Sequence, residues 1–167
     1  MNNPNKESSH QLCLILYPNM KGLGYVLCES PKDLINYGIL NVQPFQNEYT
    51  KRLKHFVKQY KPTIIILRGY QKRKNNISNR VKTTIRNFEK IAEMNDIRVI
   101  RYSREQIKDV FRAFGNTTKY DISRNIATWY PELRDRLPNL RKNTKSEHYQ
   151  MGVFDTFSLM ITHFYHQ

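Results

Sequence analysis

The chain has 167 residues and a net charge of +14, from 28 Lys and Arg set against 14 Asp and Glu. That length accommodates one domain with a full core and is short for two, and no apolar run approaches the ~20 residues needed to cross a bilayer. The basic excess argues for a polyanionic partner, because every phosphate neutralised releases condensed counterions. A membrane is not expected as partner, since no stretch joins a fully apolar helix face to a clean Lys/Arg face.

Residues 1–10 are polar and lack an apolar signal segment. They read as a short disordered tail on a cytoplasmic protein whose single domain covers 11–167. Gln11 to Pro18 is a Leu- and Ile-rich run suited to a central strand. After a turn at Asn19-Met20-Lys21, Lys21 to Glu29 reads as a second strand. Pro31-Lys32-Asp33 reads as a break, and Tyr37 to Val42 as a third strand that completes an antiparallel meander. A helix over about Asn47 to Tyr60 sets Tyr49, Leu53, Phe56, Val57 and Tyr60 at helical spacing.

Thr63 to Leu67 is a β-branched run typical of a strand buried on both faces. The basic segment from Arg68 to Asn76 leads to a helix over Ile77 to Asn95 and a short strand over Ile97 to Arg101. Ser103 caps the next helix, Gln106 completes its capping box and Gly115 ends it. A helix from about Asp121 to Tyr130, a loop from Arg134 to Ser146, and a last helix from Glu147 or Tyr149 to Phe164 finish the chain. Three meandering strands followed by strands alternating with helices predict an α/β domain with a mixed five-stranded sheet and helices on both faces.

Cys13 and Cys28 are expected as reduced core thiols. His163 and His166 lie one turn apart, but no second pair at ligand spacing joins them and His148, so zinc is not the reading. Gly22-Leu23-Gly24 precedes a strand rather than a helix, which excludes a dinucleotide loop. The strongest binding signal is Arg68-Gly69-Tyr70-Gln71-Lys72-Arg73-Lys74. Lys72, Arg73 and Lys74 suit phosphates, and Tyr70 suits stacking on an exposed base. Arg80, Lys82 and Arg86 extend the charge along the following helix, and Arg134, Arg136, Arg141, Lys142 and Lys145 form a second basic loop.

Leu16-Tyr17-Pro18, followed by Gly22-Leu23-Gly24-Tyr25, resembles the first hairpin of the RuvC-like Holliday junction resolvases, in which an Asp precedes the Pro. Further segments resemble the family in the same order. They are Tyr102-Ser103 through Lys108-Asp109-Val110-Phe111, Thr118 through Ile122, Tyr130-Pro131-Glu132-Leu133, and Glu147 with Met151 and Phe154-Asp155. The resemblance implies an RNase H-like (RuvC-type) fold, a branched DNA partner, a homodimer, and two divalent ions such as Mg²⁺ held by four carboxylates.

Carried over position by position, the first acid falls on Tyr17 and the second on Leu67 or Arg68. Asp155 matches the acid of the last helix, and Glu147 is the candidate for the fourth. A neutral phenol is a poor Mg²⁺ ligand, and a guanidinium puts positive charge where a cation would sit. The expected function is therefore binding of branched or structured DNA with catalysis weakened or lost. The alternatives are an active Mg²⁺-dependent endonuclease that recruits another acid, Glu29 or Asp121 being nearest, and an assembly protein that uses the fold for a protein partner. Asp155, between Phe154 and Phe157, needs a partner if buried; Arg68 or Tyr17 is the expected one.

Overall fold

Residues 11–41, 45–70, 77–115, 118–140 and 148–167 are described by a computed structural model. An antiparallel meander comes first, formed by β1 (Cys13–Pro18), β2 (Leu23–Ser30) and β3 (Asp33–Leu40). Helix α1 (Phe45–Tyr60) crosses to β4 (Ile64–Arg68), and α2 (Asn79–Met94) crosses to β5 (Arg98–Tyr102). Then come α3 (Arg104–Arg112), α4 (Lys119–Trp129), a 3₁₀ turn (Pro131–Arg136) and α5 (Met151–Tyr165). The strand order is β3-β2-β1-β4-β5, with β1, β4 and β5 mutually parallel. Parallel neighbours need long crossovers, which α1 and α2 supply.

Side chains alternate between the two faces of each strand. Leu14, Leu16, Ile65 and Leu67 face α1 and α2, packing with Leu53, Phe56, Ile85 and Phe88. Cys13, Ile15, Tyr17, Ile64 and Ile66 face α3, α4 and α5, packing with Phe111, Ile126, Phe154 and Phe157. Helices thus cover both faces, as the mixed α/β reading expects. Cys13 and Cys28 sit opposite each other across β1 and β2 as free buried thiols. Burial pushes their pKa values up to about 11 and about 12.

Helix α5 is buried almost all round, from Met151 through Met160 and again at Thr162 and His163. Its hydroxyls turn back on their own helix: Thr156 donates to Gly152 O at 2.7 Å, Ser158 to Asp155 O at 2.7 Å, and Thr162 to Ser158 O at 2.8 Å. This back-bonding satisfies polar groups that no water reaches. The helix crosses β2 so closely that a Cβ on Gly24 would overlap Gly152 O and Thr156 Oγ1.

Some boundaries move from their expected places. Strand β3 starts at Asp33, not Tyr37. Ser30 Oγ donates to Asp33 Oδ2 at 2.6 Å and accepts from Asp33 N at 3.1 Å, so Pro31 serves a tight hairpin turn rather than a break. The expected loop from Arg134 instead begins within a 3₁₀ turn, pinned by fully buried Leu133, whose N–H donates to Tyr130 O at 2.9 Å. Helix α5 starts at Met151, and Val42 lies outside the described residues.

His163 is buried on α5 with Nδ1 3.1 Å from the Tyr102 hydroxyl, and His166 stacks on the same Tyr102 ring. Burial lowers its pKa from 6.5, and the nearby charge of Arg98 and of His166 lowers it further. A depressed folded-state pKa means the stabilisation is fully present above pH 6.5 and declines as acid drives the buried ring toward its charged form. Urea unfolding followed from pH 6.5 downward is therefore expected to lose stability, and His163→Leu to flatten that decline; an unchanged slope in the variant would assign it elsewhere. Gly24→Ala is expected to cost about 3 kcal/mol through overpacking, read as a lower urea midpoint at constant m. Gly152→Ala, whose added methyl meets only ordinary contacts, is the control and should leave the midpoint level or raised.

Candidate nucleic-acid interface at the ends of the parallel strands

Register brings the central residues together. Leu16 pairs with Leu67 across β1 and β4, and Arg68 pairs with Tyr102 across β4 and β5. Tyr17 and Arg68 each lie one residue beyond the Leu16–Leu67 pair, so alternation turns both toward the α5 face. The Arg68 guanidinium carbon lies 4.4 Å from the centre of the Tyr17 ring, a cation–π contact. Its Nη1 donates to Pro18 O at 3.0 Å, while its Nε is buried with no hydrogen-bond partner among the described residues.

A cleft of about 240 Å³ opens at this point, lined by Tyr17, Arg68, Tyr70, Tyr102, Ser103 and Arg104 among others. The Gly69 N–H donates to Tyr102 O at 2.8 Å and ties the two strand exits together. Ser103 forms the expected capping box: its Oγ accepts from Gln106 N and its N–H donates to Gln106 Oε1. The box makes Arg104 the first residue of α3, at the cleft wall.

Behind Tyr17 lies Asp155, only 2% exposed. Its Oδ2 is 2.7 Å from Lys119 Nζ. Lys119 opens α4 directly after the cap Thr118, whose hydroxyl accepts from Asp121 N. The cation that neutralises Asp155 is thus Lys119, whereas the sequence pointed to Arg68 or Tyr17. Arg68 reaches across β1 to the Tyr17 ring and Pro18 O instead, because a residue at the end of β4 sits beside β1.

Tyr17 records the charges around it. Burial raises its pKa first and Asp155 raises it further, while Arg68, Lys119 and Arg104 pull it back. The phenol is neutral at ordinary pH, and among the described residues three cations and one carboxylate act on it. These groups do not suit a pair of Mg²⁺ ions, which need several hard, anionic oxygens. Glu29 is exposed on β2 and Asp121 closes the first turn of α4, so neither joins Asp155. Among the described residues no group of three or more His, Cys, Asp or Glu side chains is placed to hold a metal. Glu147, the expected fourth ligand, lies outside them.

Of the expected binding residues, the structure brings Arg68 and Tyr70 into one cleft. Tyr70 is half-buried against the α1–α2 side of the core, with Lys82 Nζ 5.8 Å from its ring centre. Arg80 lies on the exposed side of α2 and does not line the cleft. Lys72, Arg73, Lys74, Arg141 and Lys142 lie outside the described residues. Sequence reasoning missed Lys119 and Arg104. A signal was present: each is a cation at the first position of a helix, where the helix dipole disfavours positive charge.

No protein-family model matches the chain, and no curated protein matches it. Solved structures do. RuvC of Thermus thermophilus in complex with a Holliday junction substrate superposes with a TM-score of 0.65 at 13% identity, over 94% of each chain. The yeast mitochondrial Holliday junction resolvase Ydc2 gives 0.60 at 10% identity, over 92% of this chain and 77% of its own. The fowlpox virus resolvase, in complex with Holliday junction DNA, gives 0.54 at 11% identity, over 93% and 99%. The five-stranded order, the helices on both faces and these superpositions establish that the chain has the RuvC-like, RNase H-type fold of Holliday junction resolvases.

Proposed function

We propose that the protein binds branched or structured DNA through its RuvC-like scaffold and does not cleave it. The observation that carries this reading is the Arg68 guanidinium lying on the Tyr17 ring, where the resemblance puts one metal-binding acid at Tyr17 and another at Leu67 or Arg68. A cation fixed at that point repels divalent metal and attracts phosphate. The net charge of +14 supports the same partner. Two of the solved structures that share the fold are complexes with Holliday junctions. A homodimer would present two such clefts to a two-fold symmetric junction.

The basic segment that leaves β4 fits this role. Arg68 and Tyr70 stand at the mouth of the cleft, and Lys72, Arg73 and Lys74 follow directly in the chain. Phosphate contacts from such residues fix position on the nucleic acid without reading its sequence. The protein is thus expected to select structure over sequence, with an affinity that falls steeply as salt rises.

A labelled four-way junction incubated with Mg²⁺ or Mn²⁺, run beside a binding shift on the same gel, tests the proposal. Retardation without cutting is expected. Asp155→Asn should bind at least as tightly as the parent, because it removes a negative charge and releases Lys119. Metal-dependent cutting that this substitution abolishes would make the protein an active endonuclease.

A further inference from the structure

We infer that the cleft between the ends of β4 and β5 is a phosphate site that works without divalent metal, with Arg68 and Arg104 as the groups that hold the phosphate. The inference rests on the nucleic-acid-binding reading for the identity of the polymer, and on local geometry for the site itself.

The first part of the argument is charge. Arg68, Lys119 and Arg104 outnumber Asp155 around Tyr17, and the one carboxylate is already engaged by Lys119 at 2.7 Å. The acid on the cleft wall, Glu105, pairs with Lys108 at 3.6 Å. Both carboxylates are thereby screened, and the local field favours an anion.

The second part is preorganisation. Arg68 is held by the Tyr17 ring on its face and by Pro18 O on one Nη1 proton, so little conformational freedom remains to be lost on binding. Nη1 engages Pro18 O and Nε has no hydrogen-bond partner among the described residues, so those contacts leave the five-donor guanidinium unsaturated.

The third part is the position of Arg104. Arg104 is the first residue of α3 and lines the cleft beside the N-terminal amides of that helix, which favour an anion. A phosphate in the cleft would meet the Arg104 guanidinium and the first-turn amides together. A volume of about 240 Å³ suits one phosphate with its sugar rather than a duplex. Tyr70 and Tyr102 line the same cleft and offer aromatic surface beside it.

Two readouts on the full-length protein test this. The first is fluorescence anisotropy of a labelled four-way junction, in EDTA and with Mg²⁺ at matched ionic strength. Equal affinity in the two buffers is expected, with Arg68→Gln and Arg104→Gln each about tenfold weaker. Lys58→Gln, at the far end of α1, should match the parent. Circular dichroism melts verify folding, and Arg104→Gln keeps the test open should Arg68→Gln fail to fold.

The second readout is a titration with inorganic phosphate, followed by amide NMR. Shifts at Gly69, Arg104 and Glu105 are expected in the parent and absent in Arg104→Gln. Junction affinity that needs Mg²⁺, or two Gln variants that bind like the parent without phosphate-induced shifts, would overturn the site. Junction binding with neither arginine mattering sinks this inference and leaves the DNA-binding reading standing. Phosphate shifts without junction affinity uphold the site as one for free phosphate or a mononucleotide and sink the DNA-binding reading.

Discussion

The close approach of α5 to β2 at Gly24 is the constraint on which the site depends. With no side chain at Gly24, the backbone at Gly152 and the hydroxyl of Thr156 rest directly on the strand. Gly24 pairs with Tyr17 in the next strand, so the same contact sets α5 above the end of β1. Asp155, one turn on from Gly152, is then carried into the interior at 2% exposure. A carboxylate at that depth requires a cation, and Lys119 at the head of α4 supplies it. The packing of one helix on one glycine thus leads to the charge arrangement of the site.

That arrangement runs opposite to a two-metal centre. Such a centre gathers carboxylates whose mutual repulsion is relieved by the metal. Here β1 offers a neutral buried phenol, β4 offers a guanidinium, and the remaining acid has its own lysine. Helices α3 and α4 each begin with a basic residue against their dipoles, an arrangement that costs a few tenths of a kcal/mol or more per helix. Both cations reach Tyr17 electrostatically, so the two local penalties are spent on one shared field. The groups gathered at the ends of β1 and β4 thus present cationic rather than anionic side chains around Tyr17.

Much of this was legible in the chain. The β-branched run Thr63 to Leu67 announced a strand covered on both faces, and the structure buries Ile64 to Leu67 fully. The Ser103–Gln106 capping box appears as read, because a cap is a contact between residues three apart and needs no tertiary partner. The turn at Ser30–Asp33 was read as a break because proline signals interruption in general; the side-chain bonds that make it a hairpin are visible only in the structure. Tyr17, and Leu67 or Arg68, were picked out through the family resemblance, and the register of β1 and β4 shows that Tyr17 and Arg68 share a face. The partner of Asp155 was not picked out, because Lys119 lies 36 positions earlier in the chain and only the packing of α4 on α5 brings them together.

The sequence by itself determined the order of elements, the two-faced sheet, the basic character of the protein and a phenol and a guanidinium at positions 17 and 68. These follow from period-two and period-3.6 patterning and from side-chain identity, which are local properties. Only the tertiary structure decided which cation meets which anion. It turned Arg68 onto Tyr17, gave Lys119 to Asp155 and brought Arg104 to the wall of the same cleft. The reason is physical: long-range pairing depends on strand register and helix docking, and the close approach of α5 to β2 at Gly24 is one such docking contact.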